Sequence, residues 1–404
     1  MEAQRSAAGA MPAQGPGTIR GSLSDRAKAA REVAERHAGE VDAQGRFPRE
    51  AFDEIRRQGL LGIMVPRALG GEEASVRQIV DVCYALGQGC ASTGLIYAMH
   101  QVKMACIVRH TRGSAALESI LRRIAAEQLL LASSTTEGKG GGNVRSSDAA
   151  IVPEGDQVTL ERAATVISYG TEADGLVTTA RRSVDAPPND QVLLVLLKSD
   201  YTLEWLQGWD TLGMRGTRSE GFKLRARAPA AQMLAEPYER IHSATMVPSA
   251  HLMWGAVWTG IAAAAVGRTQ AFVRDVMRNS RGQTPPGVAH YTQALSTLQL
   301  LRGQLASALE RYEQAMSDEK KIASLEFQST ITLLKVQISE LATTTVLSAL
   351  RACGLSGYRN DSEFSIGRHL RDVLSSPIMI NNERILANLA APSLMTPLPT
   401  TIGA

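Results

Sequence analysis

The sequence predicts three parts: an N-terminal all-α domain, a middle antiparallel β domain and a C-terminal up-and-down helical bundle. Two observations carry this. From Leu131 to Arg181 the apolar residues fall into short β-branched runs broken by glycines and polar turns, the signature of strands. On either side the chain is Ala-, Leu- and Arg-rich with helical spacing, and after Val247 three or four long helices follow with short links.

Each part can be justified in order. Residues 1–22 are rich in Ala, Gly, Pro and Gln without an apolar core, which reads as a disordered leader rather than a secretion signal. Over 23–128, Ser24 is the expected cap of a first helix, a second ends near Gly59, and an apolar turn from Leu60 to Val65 stops at Pro66. Further helices run to the end of that domain. Over 129–237 the expected strands are LLLASS, DAAIVPE, QVTLE, TVISYG, GLVTTARR, VLLVLL and FKLRARA, joined by short turns such as PEGD and APPND. Over 238–390 helices are expected at 249–279, about 290–316, 320–354 and 363–374, with a frayed tail over 391–404.

Composition excludes several functions. A net charge of +3 with acids and bases interspersed gives no basic face for nucleic acid. Cys83, Cys90, Cys106 and Cys353 have no metal-ligand spacing, so no metal site is expected, and they read as buried thiols of a reducing compartment. The most apolar run, Leu252–Val266, is shorter than the roughly 18–20 residues of a membrane span, so it reads as a buried helix of a soluble, cytoplasmic protein.

Seven local motifs occur in order: GLLGIMVPRALGG (59–71), TTEGKGGGN (135–143), ISYGTEADGLVTTAR (167–181), WDTLGMRGTRSEGFKL (209–224), RNSRG (278–282), ACGLSGY (352–358) and GRHLRDVLSSPIM (367–379). Together they resemble the acyl-CoA dehydrogenase family over about residues 24–388. The resemblance implies FAD between the β domain and the bundle, and a homodimer or homotetramer. It places Ser133, Thr135 and Thr136 along the flavin, Gly142 near the pyrophosphate and Ser168 against the isoalloxazine. It places Arg278 on a neighbouring subunit's phosphates and Gly354 where backbone meets cofactor, with Val166, Arg351 and Asn382 at further cofactor positions.

The departures from the family concern chemistry. Removing the α-proton of an acyl thioester needs a base, and the two usual glutamate positions fall on Ile380 and Val257. Val166 stands for a flavin-stacking tryptophan, Gly142 for a pyrophosphate serine, Arg351 for a glutamine, and Gly138–Lys139 follows the TTE segment. Remaining base candidates are Glu383, one helical turn beyond Ile380, together with Glu137, His100 and His251. Leu252, Met253, Trp254, Trp258 and Met379 are the expected walls of an apolar substrate cavity. Three function classes follow. One is an oxidoreductase acting on a CoA- or acyl-carrier-protein-bound thioester with an electron-transfer partner. The second is a monooxygenase using reduced flavin (FMN or FAD), O₂ and a flavin reductase. The third is a non-redox binding descendant.

Overall fold

The computed structural model describes residues 21–111, 113–137, 144–281, 283–395 and 400, so most of the expected leader and tail lie outside the described residues. The first helix, α1 (Leu23–Gln44), is capped by Ser22, two residues before the expected Ser24. The Ser22 hydroxyl accepts the Asp25 N–H at 3.2 Å. Helices α2 (Arg49–Arg57), α3 (Val76–Gly89), α4 (Ala91–His110) and α5 (Ala115–Glu127) complete the helical N-terminal part. α4 shows almost no polar face and is buried nearly all round, which makes it the wall between the N-terminal helices and everything after them.

The strands form two sheets. One is three-stranded, in the order β1 (Leu131–Ser134), β4 (Gly175–Arg181), β5 (Gln191–Leu197). The other is four-stranded and antiparallel, in the order β2 (Val152–Glu154), β3 (Gln157–Ile167), β7 (Glu220–Pro229), β6 (Tyr201–Gln207). The sequence expectation needs three corrections. β1 and β4 run parallel, because the chain makes the whole β2–β3 excursion between them and is not turned back by a hairpin. QVTLE and TVISYG are one continuous strand, β3. Buried Arg162 interrupts its apolar pattern and donates to the carbonyl and hydroxyl oxygens of Thr179. β6 is an additional edge strand, with Trp205 61 % and Leu206 49 % exposed, too solvent-facing to show an apolar run.

After a short turn, α6 (Tyr238–Ile241), and a π-helical stretch at His242–Met246, the chain enters α7 (Val247–Asn279). Then come α8 (Val288–Ala315), α9 (Glu319–Ala323), α10 (Leu325–Tyr358), α11 (Gly367–Val373), α12 (Ser375–Ile378) and α13 (Asn382–Met395). The helix over Tyr238–Asn279 is long and apolar enough to cross a membrane by length and composition, longer than the Leu252–Val266 run suggests. Yet 78 % of its most apolar window is buried inside the protein. α7 is the axis of the fold: it packs on α3, α4, α8 and α10.

Close approach to α3 depends on small residues. A Cβ at Gly87 would lie 2.6 Å from the Val257 carbonyl oxygen, and one at Gly260 would lie 2.5 Å from the Tyr84 carbonyl oxygen. Gly87→Ala and Gly260→Ala are each expected to cost about 1–3 kcal/mol in urea unfolding, because neither backbone can yield. Gly303→Ala, on α8 with open space around it, should be neutral or stabilise by up to about 1 kcal/mol. Equal losses at all three positions would refute this account of the α3–α7 contact.

Candidate active site

The site forms where four sequence-distant segments meet. α4 supplies Leu95 and Met99, and the end of β3 supplies Val166 and Ser168. The 209–219 loop supplies Trp209, Leu212, Met214, Thr217 and Ser219, and the C-terminal segment supplies Arg371, Leu374, Ser375, Ile378 and Met379. They enclose a cavity of about 400 Å³, within the range of small-molecule sites, with mainly apolar walls.

Two carboxylates hold these segments together. Asp372, on α11, is 5 % exposed and accepts the Met214 N–H at 2.7 Å. Asp42, at the end of α1, accepts from the Arg371 guanidinium at 3.0 Å, while its carbonyl accepts from Arg215 at 2.8 Å. The Arg371 guanidinium also reaches the Leu212 carbonyl at 3.3 Å. Contact between the loop and α11 is close: a Cβ on Gly213 would lie 2.1 Å from the Arg371 carbonyl oxygen.

The backbone around the cavity is strained. Tyr169, Met214, Arg218 and Ile380 are non-glycine residues with φ of 44°, 53°, 43° and 48°. Such residues persist only where the surroundings enforce them, and they gather at functional sites. Here the enforcement is visible. The Tyr169 N–H donates to the Thr217 carbonyl at 2.8 Å and its hydroxyl to the Leu131 carbonyl at 3.0 Å, so Ser168 and Ser219 are held side by side. The Ser168 and Ser219 hydroxyl oxygens are 2.7 Å apart. Ile380 is held by the buried Lys335 ammonium, which donates to its carbonyl at 3.0 Å and to Asn382 Oδ1 at 2.7 Å. Burial pushes the Lys335 amine down to about 8.

Among the expected site residues, Val166, Ser168 and Met379 line the cavity. Ser133, within β1, and Thr135 and Thr136, just after it, do not line the cavity, and Gly142 and Gly138 lie outside the described residues. Arg278, paired with Asp275 at 3.2 Å, and Arg351 are exposed on the bundle, as is Gly354, whose φ of 55° and ψ of −133° break α10. Asn382 is committed to Lys335, Ser339 and Glu340.

The candidate bases are placed away from the cavity. His251 is 3 % exposed with Nδ1 on the Ile331 carbonyl at 2.8 Å, and burial pushes its pKa down to about 4. This corrects the expectation of a base poised near neutral pH. His100 bridges the Leu61 carbonyl and the Leu131 N–H with both ring nitrogens. Glu137 caps the turn at 147–149 and pairs with Arg162 at 3.4 Å, and Glu383 is exposed on α13. Val257 packs on Gly87 and Gly94. Leu252, Met253 and Trp258, expected as cavity walls, are core residues with 0 % exposure, and Trp254 packs against that core. Their apolarity reflects packing between helices. Sequence reasoning passed over Leu95, Met99, Thr217, Ser219 and Arg371. The last three sit inside motifs quoted above, so the signal was present, but nothing in it said which side chains face inward.

Comparison with known proteins bears on the fold and the family likeness. The description "Acyl-CoA dehydrogenase, N-terminal domain" matches residues 24–128. Cyclohex-1-ene-1-carbonyl-CoA dehydrogenase of Geobacter metallireducens is 27 % identical, over 91 % of this chain and 95 % of that protein. The chain is thus similar to acyl-CoA dehydrogenases, by the family model over residues 24–128 and by relatives along most of its length. Its fold is also that of FMN-bound TdsC from Paenibacillus sp. A11-2, with a TM-score of 0.82 at 17 % identity over 94 % of this chain and 98 % of that one. Butyryl-CoA dehydrogenase from Megasphaera elsdenii gives 0.75 at 17 % identity, over 94 % and 100 %. In this structure the RHLRD segment is welded to the LGMRG loop through the Asp372 carboxylate on the Met214 N–H.

That weld has a pH signature. Burial raises the Asp372 carboxyl to about 6, above its ordinary range, although the Met214 N–H favours the anion. Between about pH 4 and 6 the unfolded chain gives up a proton that the folded chain keeps. Stability from this group therefore falls as pH rises through the window and is level above it. Asp372→Asn should lack that fall, on the order of 2–3 kcal/mol. Urea midpoints of both proteins at pH 4 and pH 7 check this, and parallel pH profiles would refute it.

Proposed function

We propose that the chain is a flavin-dependent oxidoreductase acting on an apolar acyl thioester, with the flavin ring beside Val166 and Ser168. The observation that carries this reading is the convergence of three family motifs, ISYG, LGMRGTRS and RDVLSS, on one apolar cavity. The donor set fits a flavin ring, with apolar walls for its faces and a single hydroxyl column at one side. A bound flavin supplies hydride transfer. The chain's own part is to orient substrate and exclude water. Leu95, Met99, Leu374, Ile378 and Met379 provide the apolar surface for this, and Arg371 is the one cation among the described residues of the wall. FAD is the flavin we favour, CoA or an acyl carrier protein the thioester's carrier, and an electron-transfer protein the acceptor. Exposed Arg278, Arg351 and Gly354 suit a second copy's cofactor, and exposed Leu300, Leu355 and Tyr358 on α8 and α10 suit the contact of a homodimer or homotetramer. The four buried free thiols fit the cytoplasm.

One observation favours a second reading. No Asp, Glu, His or Lys is among the described residues lining the cavity, so no side chain there can take an α-proton. A monooxygenase using reduced flavin, O₂ and a reductase needs no such base. The expected result is a yellow protein whose flavin bands bleach without O₂ on adding an acyl thioester. Bands that persist until a reductase and O₂ yield hydroxylated product would decide for the monooxygenase. Ser168→Val should lower occupancy by reduced flavin, and no uptake of added FAD or FMN by the parent protein would sink both readings.

A further inference from the structure

Three hydroxyls on the cavity wall form a chain whose direction the carbonyl at its inner end can set. Each hydroxyl has one hydrogen to give and lone pairs to receive. Thr217 Oγ1 lies 2.9 Å from the Met214 carbonyl oxygen, which can only accept, so the Thr217 hydrogen goes there. Turned elsewhere, that hydrogen would leave two sets of lone pairs facing each other. Ser219 Oγ is 2.8 Å from Thr217 Oγ1, whose hydrogen is already committed, so Ser219 donates. Ser168 Oγ is 2.7 Å from Ser219 Oγ, whose hydrogen is committed in turn, so Ser168 donates to it. Only lone pairs of the Ser168 hydroxyl remain for the cavity.

Met214 is held in the left-handed region, and its carbonyl is shared by three donors, the Thr217 hydroxyl at 2.9 Å, the Thr217 N–H at 3.1 Å and the Trp209 indole N–H at 3.2 Å, of which the hydroxyl is the shortest contact. Its own N–H is fixed by Asp372. Ser219 and Thr217 are 5 % and 1 % exposed, so water does not readily supply a competing partner.

We propose that this polarised column makes the site select a ligand edge that carries a hydrogen, and therefore reduced flavin over oxidised flavin. This rests on the reading that the flavin ring lies against Ser168. Oxidised flavin presents a bare N5 that needs a donor, whereas reduced flavin presents N5–H, which needs an acceptor. The Ser168 hydroxyl offers only the acceptor. Thr217 and Ser219 are positioning residues here, and they act through the direction of the Ser168 hydrogen.

The test measures dissociation constants of the full-length protein for oxidised and dithionite-reduced FMN and FAD, without O₂ for the reduced form. Ser219→Ala and Thr217→Val each release the Ser168 hydrogen. Both variants are expected to bind oxidised flavin about tenfold more tightly than the parent, with reduced flavin unchanged. That ratio corresponds to a bound-flavin midpoint potential about 30 mV lower in either variant. Thr217→Ser should behave as the parent, and Ser168→Ala should weaken reduced flavin about tenfold while leaving oxidised flavin alone. A gain in affinity cannot come from misfolding. If both releasing variants bind oxidised flavin no better than a flavin-binding parent, the polarity is wrong. If the parent binds neither form, the flavin reading itself fails, and the proposal with it.

Discussion

The Asp372 carboxylate on the Met214 amide is the contact on which the rest of the site depends. It joins a helix near the end of the chain to a loop of the β domain, and Asp42 brings α1 to the same junction through Arg371 and Arg215. Burying the Asp372 carboxylate has a cost, visible in its raised pKa. In return the Met214 carbonyl is set in place as an acceptor for Thr217, and the hydroxyl contacts continue through Ser219 to Ser168. The cavity thus inherits its geometry from an electrostatic weld some residues removed from its walls.

A second consequence concerns chemistry. A scaffold with a general base needs a carboxylate or imidazole at the substrate, and the described lining has neither. The histidines that attracted attention serve the core. His100 staples α4 to the Leu61 turn and to β1, and His251 ties α7 to α10. Both are pushed below neutral pH by burial, so they remain uncharged partners of backbone groups. What is left at the cavity is apolar surface, hydroxyls and one arginine. That set suits orienting a ligand and holds no group that could remove a proton.

Much of the fold was legible because its signals are local. The long helices of the bundle announced themselves by length and spacing, and the strands by β-branched runs closed by Gly and Pro. The failures have physical causes. The parallel β1–β4 pair is a product of a long excursion that no local pattern records. β6 was missed because an edge strand exposing Trp205 and Leu206 has no apolar run. The substrate wall was sought on α7 because Leu252, Met253 and Trp258 are apolar, and helix–helix packing had already claimed them. Ser168 was found through its motif, while Ser219 and Thr217 were only letters within another one.

The sequence alone determined the order of helical, β and helical parts, the motifs and the emptiness of both usual base positions. These follow from residue type and spacing, which act along the chain. Only the tertiary structure decided which residues face one another: Asp372 against Met214, Asp42 against Arg371, and Ser168 against Ser219. Such pairings arise between segments more than a hundred residues apart in the first two cases, and about fifty in the third. The direction of a hydrogen bond depends on what its acceptor already holds, so it becomes readable only when all the partners are in place.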